Sequence, residues 1–192
     1  MEIIKQEILD SIEIKQKILQ DKVLLTRIDS IAADCLKSLK NKGKIILAGN
    51  GGSFADAQHI SAEFTSKYIF DRESLPSICL GTNNSAMSAI GNDYGYEKVF
   101  ARELSSLGCK DDIFIAISTS GNSKNIVEAV RTAIKNNIKT VAFTGSSGGQ
   151  LDDLCECIKI PSDITGRIQE CHIMIGHIIC KIVEEKYFKG LK

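Results

Sequence analysis

Apolar residues recur at helical intervals throughout residues 2–42, with lysine and glutamate between them. Because this stretch is longer than an ordinary helix, it predicts two helices that divide near Gln20-Asp21 or near Asp29-Ser30, where a polar side chain can cap the second one. Gly43 is predicted to end the pair. The apolar stripe is too long for one small sheet to cover. We therefore expect the N-terminal helices, residues 1–43, to form a hairpin that packs against other subunits.

From residue 44 onward, short apolar runs alternate with longer amphipathic stretches. The predicted strands are 44–48, 77–81, 112–117, 139–144 and 157–160. The predicted helices are 54–67, 85–91, 97–107, 123–136 and 165–188. Buried strands separated by helices are typical of parallel sheets with crossover connections. The pattern therefore predicts an α/β fold, a three-layer α/β/α sandwich around a five-stranded parallel sheet.

Composition narrows the class of protein. At 192 residues with 43% apolar and 25% charged content, we expect residues 1–192 to form a single soluble domain. Lysine plus arginine equals aspartate plus glutamate, which argues against nucleic acid as a main ligand. No apolar run reaches the roughly 18 residues that span a bilayer, so no membrane association is expected. The seven cysteines form no C-x-x-C pair, which favours reduced thiols in a cytoplasmic protein.

The first predicted strand runs directly into a glycine-rich turn. Ile45 to Ala48 is followed by Gly49-Asn50-Gly51-Gly52-Ser53 and then by a helical pattern. Glycines leave backbone N–H groups uncovered, and a helix start adds unpaired donors with a partial positive charge. Strand, turn and helix together predict an anion site, most often one for phosphate.

A second polar loop follows the predicted strand 112–117. Its sequence is Ser118-Thr119-Ser120-Gly121-Asn122-Ser123, and it opens the helix 123–136. Hydroxyl and N–H donors at a helix start can surround a phosphate, although many such loops are only polar helix caps. Neither G-x-x-x-x-G-K-[ST] nor G-x-G-x-x-G occurs, so nucleotide binding is not supported. Because carboxyl ends of parallel strands share one edge, we expect both loops at the same side of the sheet.

Two pairs of polar residues suggest acid–base or metal chemistry. His59 and Glu63 are four residues apart and so lie on one helix face, although such a pair is usually a solvated surface. Gln169 and His177 lie about 80° apart on the last predicted helix, broadly on one side. Both pairs can thus face one cavity, while spacing alone leaves a metal site open. His172 is about 140° from His177, which favours packing or a supporting hydrogen bond.

One further loop and two lysines could contribute to a sugar-phosphate site, although each is more simply explained as an ordinary surface feature. The segment Gly91-Asn92-Asp93-Tyr94-Gly95-Tyr96 is predicted to be a turn cluster, whose amide and carboxylate can hydrogen-bond the hydroxyls of a polyol. Lys67 and Lys124 can add positive charge near a phosphate, but surface solvation is the more ordinary interpretation of each.

These motifs together resemble the sugar isomerase (SIS) family and, within it, the phosphoheptose isomerases. The residues that carry the resemblance are Ala48-Gly49-Asn50-Gly51-Gly52-Ser53, Ala55-Asp56-Ala57-Gln58-His59, Glu63-Phe64, Gly91-Asn92-Asp93-Tyr94-Gly95, Ile117 to Ser123, Arg167-Ile168-Gln169-Glu170, His172 and His177. The similarity runs nearly end to end. The second polar loop, Ser118 to Ser123, hereafter the serine loop, is typical of the whole fold family. The four residues His59, Glu63, Gln169 and His177 are much more specific for the phosphoheptose isomerases.

The resemblance implies a flavodoxin-like SIS fold and the isomerisation of D-sedoheptulose 7-phosphate to D-glycero-D-manno-heptose 7-phosphate, a heptose precursor for surface polysaccharide (lipopolysaccharide or capsule). It implies a homotetramer with active sites at subunit interfaces. It also implies one Zn²⁺ per subunit, held by His59, Glu63, Gln169 and His177. The substrate-binding residues that it implies are Asn50, Gly51, Gly52, Ser53, Glu63, Asn92, Asp93, Ser118, Thr119, Ser120, Ser123 and Gln169.

The implied chemistry suits these residue types. A 2-ketose becomes an aldose when a proton moves between C1 and C2 through an enediol, with Glu63 assigned as the base and His177 as its partner at oxygen. Zinc can polarise the carbonyl, but a zinc-bound carboxylate is a weaker base and four protein ligands leave no open position. Ligand exchange, expanded coordination and a structural metal all stay open. Phe54, Lys67 and Gly166 depart from the family's usual residues without removing a proposed ligand.

The main alternative belongs to another class, that of binding proteins without catalytic activity. Some relatives with this fold bind the replication initiator DnaA or act as sugar-phosphate regulators without catalysing a reaction. A second enzymatic alternative is isomerisation of a pentose or hexose phosphate. The presence of His59, Glu63, Gln169 and His177 together favours an enzyme, because a binding protein has no need of that set.

Overall fold

The structure, a computed structural model, describes residues 1–189. Its elements in chain order are α1 (Glu2–Gln20), α2 (Lys22–Lys40), β1 (Ile45–Ala48), α3 (Gly52–Thr65), β2 (Ser77–Cys79), α4 (Asn84–Tyr94), α5 (Val99–Leu107), β3 (Ile113–Ile117), α6 (Lys124–Lys135), β4 (Lys139–Thr144), β5 (Glu156–Lys159) and α7 (Thr165–Tyr187). Short 3₁₀ turns lie at Tyr96–Lys98 and Gly149–Leu151. The predicted alternation of strands and helices is confirmed, and every predicted strand lies within two residues of its predicted bounds.

The five strands form one parallel sheet in the order β2-β1-β3-β4-β5. This confirms the predicted sandwich and places β1 beside β3, with Leu47 opposite Ile115 in the register. The chain winds in one direction from β1 to β2 and in the other from β3 to β5. Ligand crevices in such sheets lie at this reversal point, beyond the carboxyl ends of the strands. The glycine-rich turn Gly49 to Ser53 after β1, hereafter the glycine loop, and the serine loop after β3 both lie there.

Alternate strand residues supply two separate hydrophobic cores, because successive side chains of a strand point to opposite faces. Leu47, Ile115 and Phe143 lie in the core shared with α1, α2, α3 and α7. Ala48, Phe114 and Ala142 lie in the other core, with α5 and α6. The face of the sheet that packs against α1 and α2 therefore also carries α3 and α7, the two helices with the predicted functional residues.

The N-terminal hairpin of α1 and α2 divides at Asp21, one of the two predicted break points. The Asp21 side chain accepts hydrogen bonds from the backbone N–H groups of Val23 and Leu24, both at 3.0 Å, and so caps α2. The alternative break near Asp29-Ser30 is wrong, since both residues lie inside α2. Several large apolar side chains of the hairpin remain exposed, among them Ile4, Ile8, Ile12 and Leu19.

Two predicted boundaries are wrong. The helix α2 ends at Lys40 rather than at Gly43, and Lys42 takes the left-handed conformation (φ 64°) that was expected of a glycine. The predicted turn cluster at Gly91–Tyr96 is mostly helical, because α4 continues through Tyr94 and the chain turns only at Gly95, with φ 89°. A single glycine inside a helix costs only about 1 kcal/mol, so Gly91 does not stop it.

Across residues 1–189, every helix is too short or too polar to cross a membrane.

Candidate active site

Helices α3 and α7 pack closely side by side and form the frame of the site. A glycine on α7 allows the close approach, since a Cβ at Gly176 would lie 2.4 Å from Cδ1 of the buried Ile60 on α3. Gly52 at the start of α3 faces Gln169, and His59 further along faces His177. Both helices therefore run in the same direction along their contact.

Three of the four residues with predicted metal or acid–base roles meet where these helices touch. Nε2 of His59 lies 2.8 Å from Nε2 of His177 and 3.2 Å from Oε1 of Glu63. The ligand atoms of all three side chains lie within 4.8 Å of one another. His59 is exposed, whereas Glu63 and His177 are half-buried. The group can therefore pass protons between its members or hold a cation.

Gln169 lies at the other end of this contact. A Cβ at Gly52 would lie 2.6 Å from Nε2 of Gln169, so the amide packs against the first residue of α3. Eight residues of α7 separate Gln169 from His177, or about 12 Å of helix axis. The structure thus places Gln169 on the same side of α7 as His177, as predicted, with its amide beside the glycine loop.

The serine loop lines a cavity beyond β3 and β4. Gly121 has φ 66°, and its backbone passes so close to Gly148 that no side chain fits there. Gly145 donates its N–H to the Thr119 carbonyl at 2.8 Å, which ties the loops after β3 and β4 together. The cavity lining comprises Thr119, Ser120, Asn122, Gly145, Ser146, Ser147, Asp163, Thr165 and Ile168. Hydroxyls from three chain segments thus face one space, of which the sequence pattern indicated only the first segment.

The other predicted phosphate ligands lie at the base of these loops. Ser118 and Ser53 are buried, and the Ser118 hydroxyl donates to Ser123 Oγ at 3.1 Å. Lys124 is the first residue of α6, and both it and Lys67 are exposed, in agreement with their interpretation as surface residues.

A buried asparagine that the sequence did not single out joins the two loops. Asn125 and Asn50 exchange paired amide hydrogen bonds of 2.8 and 2.9 Å, and the Tyr96 hydroxyl donates to Asn50 Oδ1 at 3.1 Å. Asn125 also accepts from the backbone N–H of Ile126 at 3.0 Å. Because each amide both donates to and accepts from the other, the glycine loop is held in a fixed position relative to α6. Asn50 lies two residues after β1 and Asn125 eight residues after β3, so no common spacing marks this pair in the sequence.

Two further predicted positions lie on α4. Asn92 and Asp93 are exposed, and the Asn92 amide donates to the Asp93 carboxylate at 2.8 Å. Their predicted role in lining the sugar stays a prediction.

His172 is fully buried, and its Nε2 lies 3.1 Å from the carbonyl oxygen of Thr144. Burial lowers the pKa of His172 to about 4, so the ring is neutral and donates from Nε2. Its predicted packing role is confirmed.

One acidic residue near the trio of His59, Glu63 and His177 was given no role of its own from the sequence. Asp56 lies one turn before His59 on α3, and its Oδ2 is buried without a hydrogen-bond partner among residues 1–189. Burial raises the pKa of Asp56, and the neighbouring His59 acts in the opposite direction. Asp56 therefore adds a second carboxylate to the His59 side of the site.

Comparison with known proteins agrees with this geometry. The family model described as SIS domain matches residues 10–145. The chain is 53% identical over 186 residues to phosphoheptose isomerase 2 of Campylobacter jejuni, covering 96% of this chain and 92% of that protein. It is 52% identical over 188 residues to the phosphoheptose isomerase of Aneurinibacillus thermoaerophilus, covering 97% and 95%.

Solved structures give the same result at lower identity. The phosphoheptose isomerase of Neisseria gonorrhoeae superposes with a TM-score of 0.88 at 38% identity, covering 96% of this chain and 98% of that one. A phosphoheptose isomerase from Francisella tularensis superposes with a TM-score of 0.90 at 33% identity, covering 96% and 97%. Sequence and structure thus agree over almost the whole chain, which belongs to the SIS domain family.

Proposed function

We propose that this chain is a phosphoheptose isomerase that converts D-sedoheptulose 7-phosphate to D-glycero-D-manno-heptose 7-phosphate, a precursor of surface polysaccharide. The observation that supports this most strongly is the meeting of His59 and Glu63 with His177, which lies 118 residues after His59 in the sequence. The relatives' shared name, phosphoheptose isomerase, supports the same activity.

The reaction needs a base at carbon and a proton donor at oxygen. In this proposal the Glu63 carboxylate removes the C1 proton, and His177 donates a proton to the carbonyl oxygen as the enediol forms. Nε2 of His59 lies within hydrogen-bond reach of both side chains, so His59 can pass a proton between Glu63 and His177. Glu63 then returns its proton to C2, while His177 takes the proton of the C1 hydroxyl, which forms the aldehyde and restores both side chains to their starting state.

The trio also fits a zinc ion. Two histidine nitrogens and a carboxylate oxygen are ligands that zinc prefers, and tetrahedral binding at 2.0–2.1 Å would put the two nitrogens about 3.3 Å apart. They lie 2.8 Å apart, so an opening of about half an ångström is enough. Zinc would supply Lewis-acid polarisation of the substrate oxygens. His59, Glu63 and His177 would hold one Zn²⁺ per subunit. Gln169, the predicted fourth ligand, packs against Gly52 and would have to turn toward these three residues to bind the same ion.

The phosphate fits the cavity at the serine loop. We assign it to the hydroxyls of Ser53, Ser118, Thr119, Ser120 and Ser123 and to the N–H groups at the start of α6. Asn50, Gly51 and Gly52, with Asn92 and Asp93, would line the sugar. Ser147 and Thr165 add two hydroxyls to this cavity, whereas the Ser146 hydroxyl donates to the Asp163 carboxylate, which also lines it.

We infer that residues 1–192 act as one domain and that the hairpin of α1 and α2 joins subunits into a homotetramer with interfacial active sites. The exposed stripe of Ile4, Ile8 and Ile12 supports this, because isolated apolar residues are common on a surface but a continuous stripe marks an interface. A cytoplasmic location follows from the sugar-phosphate substrate in this proposal. Light scattering that shows a monomer would contradict the shared sites.

The test is aldose formation from sedoheptulose 7-phosphate with zinc supplied. We expect turnover by the wild-type protein and loss of at least about 100-fold in kcat for Glu63→Gln and for His177→Ala. Glu185→Gln, an exposed carboxylate on α7, is the matched control and should keep wild-type kcat.

No turnover by the folded wild-type protein would refute the proposal and favour a non-catalytic binding protein. Faster turnover of a pentose or hexose phosphate would instead favour an isomerase of that smaller sugar phosphate. No feature of the described chain favours either alternative over the phosphoheptose reaction.

A further inference from the structure

The end of α3, just after Glu63, is unusual in how its backbone carbonyls are satisfied. A helix leaves its last four carbonyls without intrahelical partners, and a glycine cap commonly supplies donors for them. α3 has no such glycine, and Ser66 takes φ −94° and ψ −105°. The guanidinium of Arg72 fills this role, with bonds of 2.8 Å to the Glu63 carbonyl, 2.8 Å to Phe64 and 3.0 Å to Ser66.

Arg72 is in turn held by a carboxylate on α7. Its Nε donates to Oε1 of Glu184 at 2.8 Å, and both side chains are almost fully buried, with 2% and 1% exposure. Glu184 also accepts from the backbone N–H groups of Tyr68 at 2.9 Å and Ile69 at 2.8 Å. Burial alone would raise the pKa of Glu184, but these bonds hold it below its usual value. The carboxylate is therefore charged and fixes the segment after α3 onto α7.

The residue fixed in this way reaches the proposed active site. The Tyr68 ring stacks on the His177 imidazole, with centroids 5.5 Å apart and 21° between the planes. His59 approaches the same imidazole edge-on, with centroids 5.0 Å apart and planes at 65°. His177 is thus enclosed between Tyr68 and His59.

This contact matters because the terminal torsion of a histidine is broad and roughly two-fold. The α7 backbone does not fix which way the His177 ring turns, so the direction of Nε2 depends on the stacked Tyr68 ring and on the contact with His59. A displacement of about 1 Å at a reacting group can cost on the order of 100-fold in rate.

We propose that Tyr68 is a positioning residue that orients the His177 imidazole toward His59 and Glu63, and that Arg72 and Glu184 hold Tyr68 in place. The inference rests on the proposed isomerase function for its consequence in catalysis. The orientation of the ring is a separate claim that does not depend on any activity.

The experiment compares Tyr68→Leu with Tyr68→Phe. Tyr68→Leu should lower kcat for sedoheptulose 7-phosphate about tenfold or more, with KM changed less than about twofold, because phosphate binding does not involve this ring. Tyr68→Phe keeps the stacked ring and should restore kcat. Tyr187→Leu, the same truncation on α7 ten residues beyond His177, should keep wild-type kcat.

Crystal structures of wild type and Tyr68→Leu give the second measurement. We expect the His177 ring to point toward His59 in the wild type and to rotate away in the variant. Glu184→Gln, which keeps the size of the side chain but loses its charge, should give a smaller displacement of Tyr68 and a smaller loss of kcat. This variant decides the matter if Tyr68→Leu fails to fold.

An unchanged His177 orientation in the variants, an unchanged kcat, or a loss carried entirely by KM would each overturn the inference. If the wild-type protein shows no isomerase activity, the proposed function fails. The positioning claim is then judged by the ring orientation alone.

Discussion

The buried His172 should make the protein lose stability in mild acid. Its side chain is fully buried, packs 5.7 Å from the Phe143 ring between centroids, and has Nδ1 without a hydrogen-bond partner in the described chain. Its folded-state pKa is about 4, below the roughly 6.5 of an unfolded histidine. Between these values the unfolded chain binds the extra proton. Unfolding free energy therefore rises with pH through this window, and the contribution is complete above about pH 6.5.

The size of the effect follows from the two pKa values. A difference of about 2.5 units at 1.36 kcal/mol per unit gives an upper limit of about 3 kcal/mol. Between pH 7.5 and pH 5 the linkage relation gives a loss of about 2 kcal/mol. That is a large fraction of the 5–15 kcal/mol typical of a domain.

The assay is urea unfolding of the wild-type protein and of His172→Gln at pH 7.5, 6.5, 5.5 and 5. The glutamine amide can still donate to the Thr144 carbonyl, but it does not titrate. The variant should therefore lose about 2 kcal/mol less than the wild type over this range, because the two proteins differ only at His172. Parallel pH dependence of the two proteins would refute the buried, neutral state of His172.

Three further predictions concern packing, the loops and the metal. Gly176→Ala should cost about 1–3 kcal/mol in urea unfolding because its Cβ meets Ile60, whereas Gly166→Ala on the same helix, with open space around it, should cost nothing. Asn125→Ala should destabilise by about 1–3 kcal/mol and raise KM, since it leaves the Asn50 amide N–H donor without its partner. An unchanged KM would show that the Asn50–Asn125 pair does not hold the substrate-binding loops in place. Chelator treatment should remove zinc and turnover together, measured by metal analysis and assay, and full activity without metal would leave only the acid–base roles.

The sheet and both loops could be predicted because their signals are local. Ile45–Ala48 and Ile113–Ile117 are short apolar runs bounded by polar loops, and buried parallel strands carry this pattern wherever they occur. Boundaries were less certain where two signals had similar strength. Asp21 and Asp29 were equal candidates for a cap, and the hydrogen bonds of Asp21 decide between them only in three dimensions.

The trio was only partly accessible to sequence reasoning. His59 and Glu63 share a helix face by their spacing, which is a local property. That His177 joins them depends on how α3 docks on α7, which helix periodicity left possible and only the family resemblance implied. Asn125, Arg72 and Glu184 were not identified at all, because a buried polar residue becomes visible only through its partner, which lies 75 or 112 residues away.

The arrangement along α7 suggests why one helix carries so much of the site. Thr165 lines the cavity at the serine loop, Gln169 packs on Gly52, His177 meets the acid–base pair and Glu184 anchors Tyr68. From Thr165 to His177 the helix rises about 18 Å, so a single stiff element carries residues of both the proposed phosphate site and the proposed reacting site. Binding energy gained at the phosphate can then be used to orient C1 and C2 against Glu63, because neither end can move independently of the other. On this reasoning, a substitution that tilts α7 should reduce phosphate affinity and turnover together, whereas one that only frees the His177 ring should reduce turnover alone.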